Sequence, residues 1–225
     1  MRTVIAFAFG VLVLCGGPAL AGAADAPVTV RTHDTDIALM PPEGMCPFAG
    51  KAEADNTRNQ IKVDPHSDLL IAFGDCAQLS AYNDRNLRIR DFAQVKSLKS
   101  TAATTYKKSR ADVLKELAPE FGAPEVTTEA DNAKNRVNQA NLGVKMNEVR
   151  TLGVVDSDDR ALYVGILIGY DNQGALRSQT CVIAVTVLRQ KLIAISFYTD
   201  NSGLQEINGT IARARKYIDR MIALN

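Results

Sequence analysis

Several residue types are scarce in this chain, and their scarcity argues against particular classes of function. The 225 residues include no tryptophan, two histidines and 6% aromatic residues. Aromatic rings supply large stacking surfaces, so a sugar-binding platform built from them is not expected. Basic and acidic residues are nearly balanced, at 26 and 25. A balanced chain lacks the electrostatic footprint of a protein that binds nucleic acid or an anionic membrane surface.

Sequence motifs for catalysis and cofactor binding are also missing. The chain has no G-x-S-x-G, no P-loop, no dinucleotide fingerprint and no C-x-x-C. We therefore predict no cofactor and assign no catalytic residue. Catalytic triads assemble in space and not in sequence, so a hydrolase-type enzyme with a site built from scattered residues stays open as an alternative.

Residues 1–23 have the layout of a bacterial-type secretory signal peptide. Arg2 supplies a positive charge, residues 4–14 form an apolar run, and small residues recur with cleavage-site spacing over 19–23. The apolar run is too short to span a bilayer. We expect it to be removed, and we expect the protein to be periplasmic or secreted.

Cys15 raises the alternative of a lipid anchor. A lipobox needs small residues before the modified cysteine, whereas Leu14 is bulky, so a lipoprotein is disfavoured. No later segment has the uninterrupted apolar length of a membrane span. The rest of the chain, residues 24–225, has the size of one domain with a sizeable core.

The second half of the chain predicts an antiparallel sheet. Four strand-like segments are joined by short polar turns, which is typical of hairpins. These segments are Glu148–Val155, Ala161–Tyr170, Gln179–Leu188 and Lys191–Tyr198. The second and third are apolar at nearly every position, so we expect both faces of the sheet to be covered.

Shorter elements are predicted in the first half. Strands are expected as a pair within Val28–Met40 and over Leu69–Cys76 and Arg88–Leu98. The apolar spacing within Leu69–Cys76 also fits a helix, and a strand is the preferred interpretation. A helix should begin at Ser109, which has a capping-box-like pattern, and stop at Gly122. A polar helix over Thr128–Asn141 should pack lightly or cover an edge, and Lys51–Lys62 is interpreted as either a short solvated helix or a loop.

The chain ends in an amphipathic helix over Ser202–Leu224. Its apolar face holds Leu204, Ile207, Ile211, Ala214, Ile218, Met221 and Ile222. Arg213, Lys216 and Arg220 are predicted on the opposite face, which we interpret as solvated and not as a docking surface. Taken together, the pattern predicts an α+β fold in which an antiparallel sheet is flanked by helices and carries this helix on one face.

Three cysteines remain after the signal peptide. Cys46 lies in a proline-rich turn and Cys76 ends an apolar run, whereas Cys181 lies within a strand-like segment. An oxidising compartment permits disulfides, so we predict a Cys46–Cys76 bridge and a reduced, buried Cys181. A redox or metal-binding role for these cysteines is the alternative, but the ligand spacing of metal sites is absent.

Other side chains that could carry chemistry have ordinary explanations. His33 and His66 each lie near carboxylates, but far apart and in loop-like stretches, so no metal site is predicted. Asp156, Asp158 and Asp159 resemble part of a calcium loop without its glycine and glutamate. We interpret them as an acidic hairpin turn. A glycosylation sequon, Asn208-Gly209-Thr210, falls inside the terminal helix.

Two segments carry a resemblance to a known family. They are IALMPPEGMCPF at 37–48 and KLIAISFYTDNSGLQEINGTIARARKYIDRM at 191–221. Together with the order of elements, they resemble the PsbP-like superfamily, which includes the photosystem extrinsic protein and bacterial DcrB-like exported proteins. The resemblance implies an α/β/α sandwich and a binding or accessory role, and it transfers no functional residue.

The sequence thus predicts an exported envelope protein that binds a protein partner or a small ligand without catalysis. It predicts neither nucleic acid as a partner nor an integral membrane segment outside the signal peptide.

Overall fold

A computed structural model describes residues 26–80, 89–122, 124–140, 142, 144–172, 174–200 and 204–225. The predicted signal peptide and Cys15 lie outside the described residues. Across these ranges, no helix combines the length and the apolar character that crossing a membrane requires.

The described residues form nine strands, five α-helices and one 3₁₀ helix. The strands are β1 Val28–Thr32, β2 Thr35–Leu39, β3 Met45–Pro47, β4 Ser67–Asp75, β5 Phe92–Leu98, β6 Lys145–Ser157, β7 Leu162–Asn172, β8 Ala175–Leu188 and β9 Lys191–Asp200. The helices are α1 Gly50–Val63, α2 Cys76–Ser80, α3 Arg110–Leu117, α4 Pro124–Gln139 and α5 Leu204–Leu224. A 3₁₀ helix over Ala118–Gly122 follows α3.

Seven strands form one antiparallel sheet in the order β3-β4-β5-β9-β8-β7-β6, and β1 and β2 form a separate hairpin. Consecutive hairpins join β6 to β9, as predicted. The last of these strands then pairs with β5, about a hundred residues earlier in the chain. This long-range pairing places β8 and β9 in the middle of the sheet, and almost all their residues from Gln179 onward are buried.

The sheet is covered on both faces, which confirms the prediction from its apolar strands. Helices α1, α3 and α4 cover one face, where their buried side chains join those of the strands in one core cluster. Helix α5 and the β1–β2 hairpin cover the other face and share a second cluster with it. The predicted α+β architecture with the C-terminal helix on the sheet is therefore confirmed.

Most predicted elements are present with adjusted bounds. Ser109 caps α3 by accepting a hydrogen bond from the Asp112 backbone at 3.2 Å, but the α-helix ends at Leu117 and continues as the 3₁₀ helix. The polar stretch Lys51–Lys62 lies within helix α1 and is not a loop. Cys76 was predicted to end a strand, but β4 stops at Asp75 and Cys76 begins α2. The strand ends there because the Asp75 carboxylate accepts a hydrogen bond from the Gln78 backbone and so caps the helix.

Asparagine side chains cap the backbone of two edge strands. The Asn138 carboxamide accepts from the Met146 N–H at 2.7 Å and donates to the Met146 carbonyl at 3.0 Å on β6. The Asn225 carboxamide does the same for Ala38 on β2, at 3.0 and 2.8 Å. Exposed strand edges are templates for pairing with other chains, and these amides occupy part of each edge.

Helix α5 corrects one sequence prediction. Five of its predicted apolar residues, Ile207, Ile211, Ala214, Ile218 and Met221, are buried, as expected. Arg213, predicted on the solvated face, is instead half-buried, with its guanidinium 5.7 Å from the Phe197 ring centre. Burial lowers the pKa of Arg213, and the nearby Asp91 opposes that shift. Thr210 and Tyr217, three residues before and four after Arg213, are also buried, so the buried face of the helix is wider than the predicted apolar stripe and reaches this arginine.

Candidate functional site

A groove of about 650 Å³ runs beside β1 at one side of the molecule. We call it the edge groove. All five residues of β1 line it, together with His33, Pro47, Phe48, Glu53 and the β4 segment 68–71. It lies between the hairpin, the beginning of α1 and strand β4 of the main sheet, so it is formed by segments distant in sequence.

The β1 wall of the edge groove is held at the tip of its hairpin. His33 adopts a left-handed backbone conformation with φ of 51° in the two-residue turn. The Asp34 carboxylate lies 3.0 Å from the buried Lys191 ammonium, which also donates to the Ala102 carbonyl. That contact, with further hydrogen bonds from His33 and Thr35, holds the pKa of Asp34 well below its ordinary value. The hairpin is thereby tied to the beginning of β9.

The opposite wall is held by the disulfide. Cys46 of β3 is bonded to Cys76, as predicted, and closes a loop of sequence separation 30. The bridge fixes β3 against the end of β4 and so places Phe48, whose N–H donates to the Ala72 carbonyl at 2.9 Å. A Cβ at Gly74 would lie 2.6 Å from the Phe48 ring, so only glycine permits this close approach.

Charges of both signs line the edge groove. Arg31 lies 3.2 Å from Asp36, and Asp68 lies 3.6 Å from Lys99. Glu53 adds an exposed carboxylate from α1. The remaining lining is largely apolar or hydroxyl-bearing. The groove therefore offers charge-assisted hydrogen bonds and apolar contact together, without a field of one sign.

Among the described residues, His33 is the one side chain weighed as a candidate in the sequence analysis that lines the edge groove. Its Nδ1 lies 3.3 Å from the Asp34 carboxylate. The hydroxyl groups in the lining belong to Thr29 and Thr32, and Thr32 donates to the Ser97 hydroxyl at 2.8 Å. The imidazole thus has a carboxylate beside it, but among the described residues no hydroxyl is hydrogen bonded to it, as an activated nucleophile requires.

A second polar region lies in the interior beneath α1. The inner face of α1 carries Asn56 and Gln60, and Asp64 caps its C-terminus, so three polar residues at four-residue spacing are buried. Across from them, β5 contributes Gln94 and Lys96, which are also buried. A charged residue is rarely this buried unless it is paired.

Hydrogen bonds connect these side chains across the sheet face. The Lys96 ammonium lies 3.2 Å from Asp64 Oδ2, which also accepts from Gln60 Nε2 at 2.8 Å. Gln94 Nε2 donates to Asn56 Oδ1 at 3.3 Å. We call these five residues the buried polar cluster. The second carboxylate oxygen of Asp64 makes no hydrogen bond within the described part of the chain, so the cluster is only partly satisfied.

A thiol and a phenol lie close to the buried polar cluster. Cys181 is free and buried, as predicted, and burial raises its pKa to about 12. The Tyr198 hydroxyl hydrogen bonds with Cys181 and Ser196, and burial raises its pKa well above the ordinary value. Both groups therefore stay neutral at physiological pH. A protonated, buried thiol is a poor nucleophile.

The structure separates the remaining sequence-predicted candidates. His66 is exposed and does not line the edge groove. Asp156 and Asp158 lie 2.7 and 3.5 Å from Arg215 of α5, so the acidic turn serves as an anchor for that helix. Asn208 of the sequon is exposed on α5. Within the described ranges, no group of three His, Cys, Asp or Glu side chains could hold a metal ion.

Sequence reasoning did not single out Arg31 or Glu53 as groove residues, nor Lys96 as a buried cation. No local signal marks them, because their neighbours in space come from other elements. Arg31 belongs to an ordinary short strand and Glu53 to a polar helix. Arg31 and Glu53 come together in one groove only because the hairpin and α1 pack beside β4.

Neither the protein-family models nor the curated proteins searched give a match to this chain. The PsbP-like resemblance therefore stays a prediction from sequence layout.

Proposed function

We propose that this protein is exported to the bacterial cell envelope and acts there as a non-catalytic binding or accessory module. The observation that carries the proposal is the edge groove. It is open, it is lined by polar and apolar side chains, and it is held on both sides by an ion pair and a disulfide. A concave site with convergent polar groups is the usual setting for ligand binding.

Two further observations support the cellular location. Residues 1–23 have the layout of a signal peptide. The Cys46–Cys76 bridge suits an oxidising compartment such as the periplasm or the extracellular medium. Fractionation of cells that express the full chain, with N-terminal sequencing of the product, tests this part. A cytoplasmic product with its first residues intact contradicts it.

Binding is tested by affinity capture from envelope extracts with a matched pair of variants. Asp68→Lys reverses a charge in the edge groove, whereas Asp131→Lys makes the same change on α4. The two carboxylates are equally exposed, at 58% and 59%, and each lies near a lysine. We expect Asp68→Lys to lose the captured partner and Asp131→Lys to retain it. Equal capture by both variants contradicts a binding role for the groove.

The alternative function is a hydrolase-type enzyme, and the specific observation that favours it is that His33 lines the edge groove with its Nδ1 3.3 Å from the Asp34 carboxylate. A panel of ester, peptide and phosphate substrates tests it, with His33→Ala as the control. Turnover that His33→Ala abolishes would replace the binding proposal with an enzymatic one.

A further inference from the structure

The edge groove runs along an uncapped strand edge. Side chains of successive strand residues point to opposite faces, yet all five residues of β1 line the groove. A groove that touches five consecutive strand residues must follow the backbone edge and not one face. On its other edge, β1 pairs with β2 through an unbroken register from Val28 to Thr32.

Within the described residues, this edge of β1 differs from the two edges that asparagines cap. Ala38 on β2 is capped by Asn225, and Met146 on β6 is capped by Asn138. The β6 edge is further disrupted by three shifts of register, which blunt pairing with other chains. On β1, the described structure shows no hydrogen bond to the groove-facing backbone.

The alternation of an antiparallel ladder identifies the free backbone groups. Hydrogen-bonded and non-hydrogen-bonded pairs alternate along such a ladder. The two-residue turn closes on the pair Thr32 and Thr35, which is a hydrogen-bonded pair in a hairpin of this length. The residues whose N–H and C=O point away from β2 are then Thr29 and Arg31. These two residues direct donors and acceptors along the groove.

The opposite strand is less suited to pairing. In β4 the segment 68–71 also has an outer edge, because β3 covers only Phe73–Asp75. Its register with β5 shifts between Leu69 and Ile71, which indicates a bulge. Bulges disrupt ladder pairing. We therefore assign β1 as the pairing strand and β4 as the wall beside it.

We propose, on the basis of the proposed binding function, that the edge groove takes an extended peptide segment of a partner protein by strand addition to β1. A row of alternating backbone donors and acceptors is complemented by another polypeptide backbone. The mixed charges of Arg31, Glu53 and Asp68 exclude a preference for a polymer of one charge. About five residues of the peptide would pair with β1, and its alternate side chains would contact Phe48 and Leu70.

A backbone substitution in the protein tests this mode of binding. The probe is a fluorescent dodecapeptide selected from a random display library on the full chain, and retained only if Asp68→Lys weakens it. Thr29→Pro removes the groove-facing N–H while leaving the β1–β2 ladder bonds intact, since proline is tolerated at strand edges. Thr29→Val keeps the backbone donor. We expect Thr29→Pro to weaken binding about tenfold or more, and to weaken it more than Thr29→Val, which alters only the side chain. Equal losses for the two variants would contradict pairing through this N–H.

N-methylation of the peptide provides a second readout that does not depend on the stability of the variant. Blocking every second amide of the probe should abolish binding, whereas blocking the intervening amides should preserve it. If both methylation patterns have the same effect, strand addition is overturned, whereas the proposal that the groove is a binding site is not contradicted. A selection that yields no peptide sensitive to Asp68→Lys overturns the peptide proposal, while partner capture decides the proposed function separately.

Discussion

The Lys96 ammonium and the Asp64 carboxylate lie 3.2 Å apart with side chains only 3% and 0% exposed. They join the central part of the sheet to the end of α1, across 32 residues of sequence. Removing one partner of a buried pair leaves an uncompensated charge in a medium of low dielectric. Breaking this contact should therefore cost more stability than breaking one of the exposed ion pairs found among the described residues.

Replacing Lys96 with methionine should lower the free energy of unfolding by about 3–5 kcal/mol. The double variant Asp64→Leu with Lys96→Met should recover much of that loss, since a well-packed apolar pair avoids the desolvation cost. Urea denaturation measures both. Lys99→Met breaks the exposed pair with Asp68 and is the control, with an expected cost below about 1 kcal/mol. Equal costs for Lys96→Met and Lys99→Met contradict the prediction.

Asp34 should make stability depend on acid pH. Its pKa in the folded protein is lowered from the ordinary 3.8, first by the Lys191 contact and then by His33 and Thr35. Its contribution to stability is present above 3.8 and is lost as the pH falls through the lowered pKa. The melting temperature of Asp34→Asn should therefore fall less steeply with acidification than that of the unmodified chain. Parallel curves for the two proteins would show that the contact does not contribute.

The buried face of α5 should be a core element. Ile218 is fully buried, so Ile218→Ala should cost about 2–5 kcal/mol of unfolding free energy. Lys216 is 67% exposed and lies against Glu43 at the surface, so Lys216→Ala should cost less than about 0.5 kcal/mol. If Ile218→Ala left the melting temperature unchanged but abolished partner capture, α5 would be an interaction element instead.

Arg213 should behave differently from Lys216, although both were predicted on the same face of α5. Burial raises the pKa of Asp91, and the Arg213 charge opposes that shift. A raised carboxyl pKa means that stability falls as the pH rises through the folded-state value. Arg213→Met should steepen this fall and also remove the contact with the Phe197 ring, which is worth about 1 kcal/mol. Thermal melts at several pH values measure it, and a pH profile identical to that of Lys216→Met would contradict it.

The disulfide should be required for full stability, and Cys181 should be unreactive in the native state. Replacing Cys46 and Cys76 with serine should cost about 2–5 kcal/mol. Peptide mapping without reduction should recover the Cys46–Cys76 link and a Cys181 peptide that is labelled only after unfolding, because burial raises the pKa of that thiol to about 12. A peptide that links Cys181 to either of the other two cysteines would refute the assignment.

Local signals in the sequence determined much of the fold. Alternation and short turns predicted the hairpins from β6 to β9, and the apolar stripe of the last helix predicted its position on the sheet. The pairing of Cys46 with Cys76 followed from their contexts and from the expected compartment. The hairpins and the helix face could be predicted because they depend on residues close together in the chain. The disulfide could be predicted because the local sequence around each cysteine left one favoured pair.

Tertiary packing alone decided the candidate sites. Asn56 and Gln60 read as parts of a solvated stretch, yet both are buried because Gln94 and Lys96 of a distant strand face them. The edge groove likewise exists only because the hairpin, held at Asp34 by Lys191, lies beside β4. A polar residue in a sequence needs hydrogen-bond partners, but the sequence does not say whether water or the protein supplies them. Contacts between segments that are far apart in the chain decide which of the two it is.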